Sequence, residues 1–253
     1  MILSVNIGNT NIRAAIGEKS ISAQSVFYAN EGYTINLIET RLLKPNNIPW
    51  GQIKECRMAT VVPDNLDKII TDLQSKTGQP VKRIDIRHCG NLRTDQYTGL
   101  LGEDRVICCA YTLQKYTPPF VVIDCGTATT INVVNNKGEF LGGAILPGLL
   151  TGLNALQQNT AQLPLIEEIV GNIPILGTNT KENLKSGAVI GISCALEGFL
   201  QRINEILQIE NQLKNQIKVN VIVTGGHAPV ILPYCRFDYF HEPDLLMEGL
   251  MAL

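Results

Sequence analysis

Apolar residues fall into short strand-like runs and longer helical stripes that alternate along the chain. The most informative pattern is a near-repeat. Residues 2–16 read ILSVNIGNTNIRAAI, and residues 120–134 read FVVIDCGTATTINVV. Each copy is an apolar run, a glycine-centred polar turn and a second apolar run, which predicts a β-hairpin. The copies lie 118 residues apart, the offset from Asn6 to Asp124. Between and beyond them, strands are predicted at 57–62 and 81–86 on either side of a helix at 64–76, and a further helix at 104–116. The segment Asn135-Asn136-Lys137-Gly138 is a turn signal leading into a strand that should end at Gly142-Gly143. A helix is expected over 149–159. From Lys181 to Ile209 the apolar positions 184, 188, 192, 195, 196, 199, 203, 206 and 207 follow a helical period. Gly187 and Gly191, four apart on that helix, allow another backbone to come close, within the lobe or in a dimer. A strand at 219–224 runs into Gly225-Gly226, and a last helix starts near Asp244. Strands alternating with helices make the class α/β.

The two turns carry chemistry as well as topology. Gly8 and Gly126 can adopt positive φ or admit a ligand close to the backbone. Thr10, Thr127, Thr129 and Thr130 add hydroxyl donors. Such turns can hold a phosphate without net positive charge; each alone also reads as an ordinary hairpin turn. Together they suggest a nucleotide's phosphate tail held by both.

Composition narrows the alternatives. The chain has 253 residues, 45% hydrophobic and 17% charged, with a net charge of −2, enough apolar content for a sizeable core. Near-neutrality argues against nucleic acid as a partner, because phosphate-backbone binding needs clustered Lys and Arg. The densest basic stretch, Lys82-Arg83 to Arg87-His88, is interrupted by Asp85 and reads as a solvated edge. The seven cysteines include no C-x-x-C pair, so buried free thiols are expected rather than zinc ligands or a disulfide framework. No basic leader precedes the first apolar run, and no apolar run is long enough to span a bilayer. These features predict a cytoplasmic protein without a membrane partner.

Three further segments bear reactive groups. Gly102-Glu103-Asp104-Arg105 opens a helix, where an anion is favoured and Arg105 could grip a carboxylate. Asp104 there could accept a hydroxyl proton, or simply cap the helix. Asp124 ends a buried strand and should meet a cation or form an Asx turn. Thr224-Gly225-Gly226-His227 follows a strand, where paired glycines would let a flat ring lie on the backbone. No P-loop, nucleophile elbow or Ser/His/Asp set is present.

Taken in order, the motifs resemble the type III pantothenate kinases. They are Asn6 to Thr10, Gly102 to Arg105, Asp124 to Thr130, Gly142 to Gly148, Gly177 to Thr180, and Thr224 to Gly226. The resemblance implies duplicated actin-like ATPase (ribonuclease H-like) lobes, with a nucleotide cleft between them, divided here as 1–117 and 118–253. It implies ATP-dependent phosphorylation of pantothenate, the first step toward coenzyme A, using Mg²⁺ and a monovalent cation, K⁺ or NH₄⁺, in a homodimer. By motif position, Asn6, Ile7, Gly8, Asn9, Thr10, Asn11, Ile12 and Arg13 would bind ATP together with Thr127, Arg13 standing where the family usually has Lys. Asp104 matches the proton acceptor, and Gly102, Glu103, Asp104 and Arg105 the substrate-binding segment. Tyr97 and Thr180 match pantothenate contacts, and Asp124 the monovalent-cation ligand. The resemblance leaves room for a kinase acting on another small hydroxy acid, or for a regulatory homologue without catalysis.

Asn6 departs from the pattern, since the first hairpin usually begins with Asp. An amide oxygen is a weaker partner than a carboxylate for a hard cation. Asn6→Asp should therefore raise activity at limiting Mg²⁺. A titration showing the same metal dependence in both proteins would count against this.

Overall fold

The computed structural model describes residues 1–62, 66–210 and 219–253. The chain forms two compact units, Met1–Lys115 with Asp244–Leu253, and Tyr116–Pro243.

In the first unit, β1 (Ile2–Ile7), β2 (Asn11–Gly17) and β3 (Ile21–Tyr28) form an antiparallel meander. Helix α1 (Thr34–Ile38) leads on to β4 (Glu55–Thr60), which returns parallel to β1 on its other side. Helix α2 (Leu66–Thr77) then crosses to β5 (Val81–Arg83), parallel to β4, giving the order β3-β2-β1-β4-β5. The parallel pairs need these crossovers because no tight turn can join parallel strands. The strand period of two decides the core. Leu3, Val5 and Ile7 with Ile12, Ala14 and Ile16 point to one face, where they pack with Ile35, Ile38, Leu42, Ile69 and Leu73. Helix α3 (Glu103–Lys115) completes the unit's continuous stretch.

The second unit repeats the design. Strands β6 (Phe120–Cys125), β7 (Ala128–Val134) and β8 (Phe140–Pro147) form the meander, followed by α4 (Leu149–Asn159) and α5 (Thr180–Glu210). Strand β9 (Asn220–Thr224) pairs parallel to β6; after α6 (Ala228–Ile231), β10 (Phe240–His241) adds parallel to β9. The order β10-β9-β6-β7-β8 is that of the first sheet read from its opposite edge. Helix α5 lays Leu196, Leu200, Ile203 and Leu207 over Val121, Ile123, Val221 and Val223. The hairpins differ in one respect. Ile7 pairs with Ile12 but Cys125 pairs with Thr129, so the second turn is one residue shorter and the repeat slips by one after its glycine.

The chain ends in α7 (Leu245–Ala252), which belongs to the first unit. The division at 118 left this helix in the second lobe. Its Met247 and Met251 pack with Ala15, Ile2 and Ile21 on the second face of the first sheet. That face is apolar and needs a cover that α3 alone does not supply. Contact with α3 is close at Gly249, where a Cβ would lie 2.9 Å from both Ile107 and Tyr111.

Most predicted elements form within a residue or two. Helix α2 covers 66–77, with 64 and 65 of the expected helix lying outside the described residues. The strand expected to 86 stops at Arg83. The strand expected to end at Gly142-Gly143 continues to Pro147. There the sheet absorbs a bulge between Val133 and Val134: Gly142 takes φ +123°, and a Cβ on Gly143 would fall 1.7 Å from the Ile131 carbonyl. These glycines bend a strand rather than end it. The sequence pattern gave no sign of β3 or α1. Among the described residues, no helix is long and apolar enough to cross a membrane. All seven cysteines are free; five are buried, Cys235 is half-buried and Cys194 is exposed, so the expectation of buried thiols fails at Cys194. Burial pushes the thiols of Cys109 and Cys125 up to about 12.

Gly249→Val should overpack the α3–α7 contact and cost about 1–3 kcal/mol. Urea denaturation measures this, and an unchanged midpoint would show that the helices can separate freely there.

Candidate active site

Lysine and arginine do not make the first turn; its backbone does. The Gly8 N–H donates to the Asn11 carbonyl at 3.0 Å, closing the loop and leaving Asn9 and Thr10 exposed. Asn6 is buried on β1 and pairs directly across from the half-buried Arg13 on β2. Of the expected nucleotide segment, Ile7 and Ile12 send their side chains into the core, so they can offer only backbone groups. Beside Gly8 and Asn9 lies a cavity of roughly 320 Å³, lined also by Tyr33, Thr34 and Lys68. The Lys68 ammonium sits 4.9 Å over the Tyr33 ring, and the Tyr33 hydroxyl donates to Asp72. Burial, with Asp72 adding to it, pushes the Tyr33 phenol up to about 12.

The start of α3 gathers the next group in the same unit. Gly102 leaves room there, since a Cβ would lie 2.5 Å from Asp104 Oδ1, which folds back over it and would have to shift. That oxygen accepts the Arg105 N–H at 2.8 Å. Burial raises the Asp104 carboxyl above its ordinary value, outweighing the hydrogen bond and charge of Arg105 that act the other way. Arg105 is buried, with its guanidinium 5.8 Å over the ring of Tyr97. Tyr97 in turn lines a cavity of roughly 460 Å³ with Arg87, His88, Thr94 and Asp95. The expected substrate residues Tyr97, Gly102, Asp104 and Arg105 thus come together. Glu103, from the same segment, is differently occupied. One carboxylate oxygen accepts the Thr60 N–H at 2.8 Å, and the other pairs with Arg83. The basic stretch at 82–88 is the solvated edge its composition suggested, with Lys82 paired to Glu55 and His88 to Asp85.

In the second unit, the Gly126 N–H donates to the Ala128 carbonyl at 3.0 Å and leaves Thr127 exposed. This turn is braced from three sides. The Thr127 carbonyl accepts from the Gly148 N–H at 3.1 Å and from the Thr151 hydroxyl at 2.7 Å. A Cβ on Gly148 would lie 2.2 Å from that carbonyl. The His227 N–H donates to the Cys125 carbonyl at 2.9 Å, and its ring Nδ1 lies 3.2 Å from the Gly126 carbonyl. Half-buried Asp124 lies between Thr130 on β7 and Thr224 on β9. Gly225 has φ +97°, and a Cβ there would be 2.4 Å from Asp124 Oδ1. Its absent side chain makes room for that carboxylate.

Thr180 opens α5 within a cap. The Asn179 side chain accepts the Glu182 N–H at 3.0 Å, and the Glu182 carboxylate accepts from the Thr178 N–H and hydroxyl at 2.8 and 2.9 Å. Thr180 itself is exposed and borders an apolar groove of roughly 630 Å³, lined by Leu149, Leu153, Leu184, Gly187 and Gly191. A Cβ on Gly187 or Gly191 would meet nothing within 4 Å, so these glycines do not serve packing inside the lobe.

Sequence reasoning did not find the bracing roles of Thr60, Gly148, Thr151 and His227. Each acts on a residue distant in sequence, which no local spacing in the chain signals.

Comparison with known proteins agrees with this architecture. A solved Campylobacter jejuni protein described as a Baf family transcriptional activator is similar over 98% of this chain and 94% of its own, at 20% identity and a TM-score of 0.61. That likeness concerns the fold, the duplicated actin-like kind with two α/β lobes. A curated type III pantothenate kinase from Rubrobacter xylanophilus is 35% identical over 153 residues, 60% of this chain and 57% of its own length. The first three such relatives are matched over little more than half their length, 57%, 54% and 54%. One from Thermobifida fusca is 27% identical over an alignment covering 100% of this chain and 98% of the relative. The family model for type III pantothenate kinases matches residues 2–202. By that match, and by the order of its motifs, the chain belongs to the type III pantothenate kinase family.

Proposed function

We propose that this protein transfers the γ-phosphoryl group of ATP to the primary hydroxyl of pantothenate, opening the route to coenzyme A. One observation carries the reading: a carboxylate raised by burial, Asp104, stands at a helix N-terminus beside an Arg105 held against Tyr97. A base must be unprotonated to take a hydroxyl proton, yet basic enough to hold it, and burial supplies the second property. Arg105 offers a rigid fork for the substrate carboxylate, and the 460 Å³ cavity beside Tyr97 is of small-molecule size.

ATP is assigned to the exposed turn residues Asn9, Thr10 and Thr127, with Arg13 supplying charge. Asn6 and Asp124 are oxygen donors of the type hard cations take. The reading gives Mg²⁺ to the phosphates near Asn6, and K⁺ or NH₄⁺ to Asp124. A cation there offsets phosphate charge that the near-neutral turns cannot. The protein also acts as a homodimer in this reading, through the open groove along α5. The bare glycine face at Gly187 and Gly191 supports that, and Thr180 at the rim is then available to substrate held by the partner. A regulatory role without catalysis is favoured only by Asn6, and the same assay decides it.

The test is ATP- and pantothenate-dependent product formation, repeated with sodium in place of potassium. Product that depends on both substrates and falls in sodium is expected; none under either salt would end the kinase reading. Asp104→Asn should lower turnover by about 10²–10⁴-fold while pantothenate still binds. Because the Asp104 pKa is raised, the parent's turnover should fall on acidification at a pH above the ordinary 3.8, a limb absent from the variant. The same shift means that stability present below the unfolded pKa is lost as pH rises through the folded one. At neutral pH the uncharged variant should therefore melt no lower than its parent, which separates lost chemistry from lost fold.

A further inference from the structure

We infer that Glu103 is a positioning residue that ties the base-bearing helix to the first phosphate turn, and not a substrate ligand. The inference deepens the kinase reading and rests on it for the meaning of Asp104. Both carboxylate oxygens of Glu103 are spent inside the first lobe, one on the Thr60 N–H at 2.8 Å and one on the Arg83 guanidinium. Its side chain is 12% exposed against 43% for Arg83. Thr60 is the last residue of β4 and pairs with Ile7, the last residue of β1 before the Gly8 turn. The Ile7 carbonyl accepts the Val61 N–H at 3.2 Å, while the Thr60 hydroxyl, 3.3 Å from that carbonyl, lies closer to the Val62 carbonyl at 2.9 Å. A continuous path therefore runs from Asp104 through its neighbour Glu103 to Thr60, Ile7 and the turn.

The path answers a geometric need. The base and the phosphate turn lie on elements far apart in sequence, and a misplacement of about 1 Å can cost about 100-fold in rate. A helix N-terminus held only by packing could tilt. A carboxylate gripping the end of β4, with its own direction set by Arg83, fixes that end against the sheet. Length matters more than charge for this task, because the oxygen must reach the Thr60 amide.

The test compares Glu103→Gln, which keeps the reach and loses the charge, with Glu103→Asp, which keeps the charge and loses the reach. Turnover should follow parent > Gln > Asp, with the Asp variant down about 10–100-fold. The pantothenate KM should stay within about twofold throughout, since binding groups are untouched. Amide hydrogen exchange at Thr60 should speed up more in the Asp variant than in the Gln variant. Turnover with Asp at or above Gln, or a raised pantothenate KM at unchanged kcat, would make Glu103 a charge contact to substrate and overturn the inference. Unchanged exchange at Thr60 in both variants would overturn it as well. A parent protein that makes no product would sink the kinase reading instead, and the Thr60 exchange would still judge the strut.

Discussion

A glycine N–H closing onto a carbonyl a few residues ahead shapes both lobes. Gly8 to Asn11 and Gly126 to Ala128 each form a tight polar corner at the end of a buried strand. The corner must be small because β1 and β6 sit at the centre of their sheets, each flanked by one antiparallel and one parallel neighbour. Exposed backbone at such a corner can bind an anion through its amide dipoles. An anion can thus be met by backbone dipoles in a chain whose net charge is −2.

Much of the surrounding sequence keeps these corners in place. Gly148 and Thr151 close on the Thr127 carbonyl, and His227 reaches the Cys125 and Gly126 carbonyls. In the first lobe the strand end before the corner, Ile7, pairs with Thr60, and the Thr60 N–H donates to Glu103. The lobes thus use different braces for similar turns. Duplication has preserved the strand order and let the side-chain contacts diverge. The slip of one residue after Gly126 belongs to the same divergence.

The acidic groups divide by environment. Asp104 is pushed up by burial, which outweighs the opposing hydrogen bond and charge of Arg105. Glu103, one residue earlier, receives a donor on each oxygen, the Thr60 N–H on one and Arg83 on the other. Asp124 has space because Gly225 has none of its own to fill. Neighbouring residues of like chemistry therefore do different work, and the difference lies in what surrounds each oxygen.

The duplicated hairpins, the α/β class and helices such as 149–159 were legible in the sequence, because period, turn residues and self-similarity are local properties. The family was legible too, since Gly102 to Arg105 and the other motifs keep their order, with Asn6 and Arg13 as departures. Strand β3 was hidden: its pattern of half-buried and exposed residues carries too little apolar contrast at a sheet edge. The continuation of β8 past two glycines depended on a bulge set by its partner β7. The tertiary structure alone decided that α7 returns to the first sheet and that Glu103 faces Thr60 rather than solvent. It also decided that Gly225 serves Asp124, and that Gly187 and Gly191 stay bare. Each of these depends on atoms brought within a few ångströms from distant parts of the chain, and no local pattern encodes such proximity.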